Sequence, residues 1–354
     1  MRSLRYFDAD LRFVGRGGPQ MKAIAGERFK NWIEQSGVLG LWEVIKRYGY
    51  FRKQFRETLN EIEAIKPNAV VLIDYPGFNL RLARAMRKQS SRQKIIYYIS
   101  PQVWAWNRGR IKKMGRWLDL MLCIFPFEAE LYNRSGLRTV FVGHPMIERL
   151  RALKIDVERD PNLIGLFPGS RSRELRKIFP ILFETARKLR ERKSNLRFEI
   201  AAASTELARE IQEMLDRQGQ DRQWFEIKTS DAAGLMQRAF VGIVASGSAT
   251  LEAAYFRMPF VLIYKVSWPT YLAGRLLVKV KHLGMPNVLA HKEIVPEFIQ
   301  HQAKPDELSK ATLRLIDEPA GRQQMISEFD KIIAQLGEGG ASEKAAKAIL
   351  AEIV

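Results

Sequence analysis

With 354 residues, 46% of them hydrophobic, the chain is long enough for two domains with real cores and too apolar to be disordered. Its single cysteine, Cys123, excludes a disulfide framework and a cysteine-rich metal site; it lies in the apolar run Leu118 to Phe125, as a buried thiol in a reducing cytoplasm would. The excess of 58 basic over 39 acidic residues, net +19, reads either as a well-solvated basic surface or as a match for an anionic partner. Without an RNA- or DNA-binding signature, a zinc spacing or a basic tail, that partner is a membrane surface rather than nucleic acid. No segment has the length and apolarity of a transmembrane helix, and Met1 to Phe7 lacks the apolar core of a signal peptide. The chain is expected in the cytoplasm.

In chain order, a first strand is predicted at Leu11 to Val14. Residues Val38 to Leu59 then mix Leu41, Trp42, Ile45, Tyr48 and Phe51 with Lys46, Arg47, Arg52 and Lys53. That is the composition of an interfacial helix, although a thick helix packed on a sheet reads the same way. Strands follow at Ala69 to Ile73, Lys94 to Ile99, Leu120 to Ile124 and Thr139 to Val142. Asp74 ends the first of these, and a carboxylate at the carboxyl end of a parallel strand can take a proton from an attacking hydroxyl; a turn or N-cap aspartate is the plainer alternative. The segment Ser100 to Trp106 follows the next strand, and Trp104 and Trp106 there serve a sugar, acyl chains or simple packing. His144, in the turn Gly143-His144-Pro145, contacts substrate or holds its own loop. The charged stretch Arg149 to Asp160 has no strand character and marks a domain boundary.

A second strand series is predicted at Leu163 to Phe167, Leu196 to Ala201, Trp224 to Ile227, Val241 to Val244 and Phe260 to Tyr264. Helical stretches such as Ile178 to Lys193 and Leu207 to Arg217 separate the strands. Two of these strands open into small-residue loops before a helix. One is Phe167-Pro168-Gly169-Ser170-Arg171, with Glu174 three residues on; the other is Ala245-Ser246-Gly247-Ser248-Ala249-Thr250-Leu251-Glu252. Strand, small loop and helix start together aim backbone N–H groups and a helix dipole at a phosphate. Arg171 is placed to clamp a diphosphate and Glu174 to orient it, unless Glu174 only caps the helix. Glu252, in the first helical turn, is placed for ribose hydroxyls. Trp268 to Leu283, with Arg275, Lys279 and Lys281, is a second, weaker interfacial candidate. His282, His291 and His301 are scattered and form no metal-ligand spacing. Gly337, Gly339 and Gly340 mark a turn before a final helix, Ala341 to Ile353.

This alternation implies an α/β chain of parallel sheets with helices on both faces, and two Rossmann-like domains facing a cleft resemble the GT-B glycosyltransferase architecture. The expected domains are residues 1–150 for acceptor and membrane, 160–335 for a UDP-sugar, and a C-terminal helix at 336–354. A dinucleotide dehydrogenase alternates similarly, but no G-x-G-x-x-G follows a first strand.

Several segments together resemble the lipid-A-disaccharide synthase family of GT-B glycosyltransferases. They are Phe13-Val14-Gly15 with Gly18-Pro19-Gln20-Met21, Gly40 to Val44, Ile73 to Asn79, Tyr98 to Trp106, Pro126-Phe127-Glu128, Val142 to Pro145, Pro168 to Arg171, Ser246 to Glu252 and Pro286 to Ala290. The resemblance implies an inverting transfer of 2,3-diacylglucosamine from UDP-2,3-diacylglucosamine to 2,3-diacylglucosamine 1-phosphate, giving lipid A disaccharide 1-phosphate and UDP. It implies Asp74 as base, Arg171 and the Ser246 loop (Ser246, Gly247, Ser248, Thr250) on the diphosphate with Gly169 and Ser170, Glu252 on the ribose, Asn287 near the reacting centre, and neither metal nor cofactor. It also implies a peripheral enzyme, compatible with a homodimer, on the cytoplasmic face of the inner membrane of a Gram-negative-type bacterium. An inactive membrane-associated UDP-sugar-binding homologue and another GT-B enzyme are the competing readings.

The departures from the family are specific. Members begin with an apolar strand and a G-E-x-S-G-D type loop that this sequence lacks, so the N-terminal strand is expected to be missing and the true start to lie upstream; a native N-terminus mapped to Met1 by mass spectrometry would refute that. Arg16 stands where a small residue is usual, and Ser248 where threonine is common.

Overall fold

The computed structural model describes residues 1–32, 48–89, 92–277 and 280–353. They form two compact units, residues 1–145 with 339–354, and residues 146–338.

In the first unit, strands β1 (Gly15–Gly17) and β2 (Phe29–Asn31) pair as a short parallel ribbon. Strands β3 (Ala69–Ile73), β4 (Lys94–Tyr98), β5 (Leu120–Cys123) and β6 (Thr139–Phe141) form a parallel sheet in that spatial order. Ile95, Ile96 and Tyr97 of β4 and all of β5 are buried, the continuous apolar run of strands covered on both faces. The strand expected at residues 11–14 is not one. Leu11 and Phe13 instead pack against the sheet core, so the apolar alternation there reports packing without a hydrogen-bonded ladder. The C-terminal helix Ala341–Ile353 covers this same sheet, with Ala345, Ala346 and Ile349 against Ile96, Leu120 and Leu122. Its buried Glu352 receives Lys94 at 2.9 Å and Arg138 at 2.5 Å.

The second unit is a six-stranded parallel sheet. Its strands are β7 (Asp160–Phe167), β8 (Arg197–Ala202), β9 (Phe225–Thr229), β10 (Ala239–Ala245), β11 (Phe260–Tyr264) and β12 (Glu297–Ile299). The spatial order β9-β8-β7-β10-β11-β12 is the Rossmann order 3-2-1-4-5-6. β12 went unpredicted because three residues after Pro296 are too few for a periodic signal; its pairing with β11, Leu262 opposite Glu297, defines it. The helix Ser172–Arg192 lays Leu175, Ile178, Phe179, Leu182, Ala186 and Leu189 on the sheet. Their spacing of three and four residues makes a single apolar stripe, and each large side chain fully buried there contributes about 1.5–3 kcal/mol.

Candidate active site

In the Rossmann order the chain reverses direction between β7 and β10, and ligands bind beyond the carboxyl ends of the strands at that switch. Both phosphate-type loops stand there. β7 and β10 are paired with Phe167 opposite Val244, so the loops at 168–171 and 246–248 leave the sheet side by side. Gly169 has φ +105°, and a Cβ on it would lie 2.7 Å from Oε2 of Glu174; only glycine takes both this backbone and this proximity. Arg171 donates to Oε1 of Glu174 at 3.0 Å while its side chain stays 54% exposed. The glutamate thus aims a guanidinium that remains open to an anion.

The second loop divides its labour. The Ser246 N–H extends the ladder to the Ile263 carbonyl at 3.1 Å. Thr250, fully buried, donates its hydroxyl to the Gly247 carbonyl at 2.8 Å and closes the turn. The N–H groups of Gly247, Ser248 and Ala249 come before the helix ladder and have no acceptor within it. The groups this loop leaves open are therefore backbone N–H at 247–249, with Thr250 fixing the turn from beneath. Glu252 receives Arg149 at 2.7 Å on one carboxylate oxygen. Arg149 carries no local sequence signal, because it lies far upstream of Glu252.

Asn287, expected near the reacting centre, is held inside the second unit. It is fully buried. Its Nδ2 donates to the Val295 carbonyl at 2.7 Å and to Glu297 at 2.8 Å, and its Oδ1 accepts from the N–H groups of Ile294 and Val295. Those four bonds fill the amide's capacity, so the Asn287 side chain orders the backbone at 294–295. Its partner Glu297, which the sequence did not single out, also accepts from the N–H groups of Leu283 and Gly284 at 2.9 Å each. Together the two pin the start of the helix Met285–Ala290 to β12.

In the first unit the sequence-derived residues again follow the carboxyl ends of parallel strands. Asp74, after β3, is exposed and has φ +46°; Tyr75 follows at +47°. Two consecutive non-glycine residues in the left-handed region are strained. The Asp74 N–H donates to the Tyr98 carbonyl at 2.9 Å, and the Asp74 carbonyl accepts from Asn79 at 2.7 Å and from the Tyr97 hydroxyl. These bonds, all to the Asp74 backbone, hold the turn without using the Asp74 carboxylate. Burial, and then the Asp74 charge, push the Tyr97 phenol well above its usual range, which keeps it the neutral donor this bond needs.

After β4, Trp104 is 94% buried within its segment, donates its indole N–H to Glu128 at 2.8 Å and packs edge-on against Phe127. It is a packing residue; Trp106, 39% exposed beneath Arg110, is the one at the surface. Glu128 is a hub that sequence analysis quoted without a role. It is fully buried and accepts from Ser100 at 2.5 Å, Trp104, and the Phe125 N–H at 3.3 Å. Burial lifts its carboxyl to about 7, with those hydrogen bonds opposing the rise. His144 follows β6, its ring 5.3 Å from Phe125. β3 and β6 are the two outer strands, three inter-strand spacings apart, about 14 Å of backbone separation. Asp74 and His144 thus sit at opposite ends of the edge.

Of the interfacial residues, Leu41, Trp42, Ile45, Lys46 and Arg47, with the side chain of Tyr48, lie outside the described residues. On the helix Tyr48–Ile65, Phe51 is half-buried and Arg52 and Lys53 are exposed. Arg16, the departure noted above, is buried against this helix, bonded to Gln54 and to Glu61 at 3.0 Å.

One unit is a Rossmann sheet with two small-residue loops on adjacent strands, the other a parallel sheet, and two such units are the GT-B architecture. Solved structures agree on the fold. The S. aureus MnaA–UDP complex aligns with a TM-score of 0.63 at 14% identity, covering 100% of this chain and 92% of that one. UDP-GlcNAc 2-epimerase from Neisseria meningitidis bound to UDP-GlcNAc gives 0.58 at 13%, covering 88% and 82%. The family described as lipid-A-disaccharide synthetase matches residues 1–354, and this chain belongs to it. Lipid-A-disaccharide synthase from Geobacter sulfurreducens is 37% identical over 99% of this chain and 92% of its own length. Lipid-A-disaccharide synthase 1 of Legionella pneumophila subsp. pneumophila is 35% identical over 100% and 93%. The protein is a glycosyltransferase of lipid A disaccharide synthesis.

Proposed function

We propose that the donor is UDP-2,3-diacylglucosamine and the acceptor 2,3-diacylglucosamine 1-phosphate, joined with inversion on the cytoplasmic face of an anionic inner membrane. The observation that carries the reading is the pair of anion loops on adjacent strands β7 and β10 with Arg171 held by Glu174. Backbone N–H groups at 247–249 and the Arg171 guanidinium hold the diphosphate and offset the charge that grows on it as the anomeric C–O bond breaks. Glu252, with one carboxylate oxygen on Arg149, takes the ribose. The acceptor 6-hydroxyl forms the new C–O bond and gives its proton to Asp74. His144, about 14 Å from Asp74 along the sheet edge by strand spacing, serves a part of the acceptor away from the reacting hydroxyl.

The test is UDP release by the purified chain, with the diacylated donor and with or without the monosaccharide 1-phosphate. Acceptor-dependent release that disappears in Asp74→Ala is the expected result. Release without acceptor, or undiminished in Asp74→Ala, overturns the assignment.

A further inference from the structure

The second unit carries an exposed face that the sugar chemistry does not use. The helix Trp268–Leu277 follows the carboxyl end of β11 through Lys265, Val266 and Ser267. β11 is the strand next to β10, so this helix rises from the same edge of the sheet as the donor loops. Trp268 and Leu272 are 58% and 56% exposed. They lie one helical turn apart, as do Tyr271 and Arg275, so the four side chains share one side of the helix. The Trp268 and Tyr271 rings meet edge to face at 5.7 Å, and Arg275 donates to the Tyr271 hydroxyl at 3.2 Å with its guanidinium 6.0 Å from the ring centre. An indole and a leucine more than half exposed to water lose much of the hydrophobic stabilisation of burial, whereas at a lipid interface an aromatic–aliphatic face flanked by cations is favoured.

Charge selects the sign of that interface. From Ala253 to Lys292 the sequence contains no aspartate or glutamate, while Arg257, Lys265, Arg275, Lys279, Lys281 and Lys292 fall within it. Arg257 and Lys292 pair with Asp330 and Glu328; Arg275 and Lys281 are exposed. A basic residue near an anionic leaflet contributes about 1 kcal/mol. We propose that the helix Trp268–Leu277 seats the sugar-nucleotide unit on an anionic bilayer, with Trp268 and Leu272 entering the interface and Arg275 meeting lipid phosphates. The proposal rests on the lipid-substrate reading above and adds a contact on the unit that holds the water-soluble half of the donor.

The experiment is co-sedimentation of the full chain with vesicles of phosphatidylcholine and phosphatidylglycerol, comparing the parent with Trp268→Ser/Leu272→Ser and with Arg275→Gln. UDP affinity and thermal unfolding serve as controls for the fold and the donor loops. The expected result is a fall of tenfold or more in partitioning for the double variant and a few-fold for Arg275→Gln, with UDP affinity unchanged. Unchanged partitioning in the double variant overturns the proposal. A raised KM for the diacylated donor with unchanged partitioning also overturns it, in favour of a contact with donor acyl chains. Failure of the lipid-substrate reading is separate: it shows as no acceptor-dependent UDP release from a parent chain that still sediments with vesicles.

Discussion

The two units carry their functional groups at the same place, the carboxyl ends of parallel strands, and build them by different means. In the second unit the proposed anion surface is backbone: Gly169 at φ +105° and the N–H groups of 247–249, shaped by small residues. In the first unit the strand-end turns depend on side chains from the next strand and from the helices that follow the strands. Tyr97 and Asn79 hold the strained turn at Asp74, and the buried Glu128 gathers Ser100, Trp104 and Phe125. A backbone site is damaged by adding atoms, and a side-chain hub by removing them.

The largest effect tests the group that both designs leave open. Asp74→Asn removes the proposed base while its backbone turn remains, so kcat is expected to fall by about 10²–10⁴ with little change in KM for the donor; steady-state kinetics against both substrates measure this. Next is the hub. Glu128 ionises at about 7 in the fold against an ordinary 4.5, so between those values the folded protein holds the extra proton. The Glu128 contribution to stability is full below 4.5, declines as pH rises and is gone by pH 8, on the order of 3 kcal/mol in all. In Glu128→Gln that decline disappears; urea unfolding of parent and variant at pH 4.5 and 8 reads the difference, and parallel curves would remove the hub from the comparison.

Asn287→Ala is expected to cost about 2–3 kcal/mol of stability, since it leaves buried N–H and C=O groups unpaired, with transferase activity falling in step as the 283–297 segment loosens. A kcat loss without any loss of stability would instead support Asn287 near the reacting centre. Gly169→Ala forces a side chain into the left-handed region and against Glu174, about 1–2 kcal/mol by unfolding, and isothermal titration should show weaker UDP binding. The smallest effect is Lys53→Gln on the helix Tyr48–Ile65. Its partner Glu57 is 3.9 Å away at the surface, and such pairs contribute about 0–1 kcal/mol, so thermal unfolding should barely move.

What was legible in the sequence follows the same division. The anion loops could be read because strand, small-residue loop and helix start are contiguous in the chain, and Arg171 with Glu174 are three residues apart. Most sheet strands were legible because parallel strands are continuous apolar runs. The β1–β2 ribbon and β12 were not, since three-residue strands have no period. Arg149 beside Glu252, Glu128 beneath Trp104, and Glu297 beside Asn287 were invisible, because each pairs residues whose proximity the fold alone creates. Asn287 came from resemblance, which names a needed residue without saying what its amide bonds.

The C-terminal helix sets an order of events in the cell. Residues 339–354 complete a sheet whose strands end by residue 141, so the emerging chain must wait for the whole second unit before Ile96, Leu120 and Leu122 are covered. At about 5–20 residues per second of synthesis, the roughly 200 intervening residues leave that apolar face uncovered for about 10–40 s on the ribosome. The first unit to appear is therefore the last to finish, and it is where a chaperone would be needed.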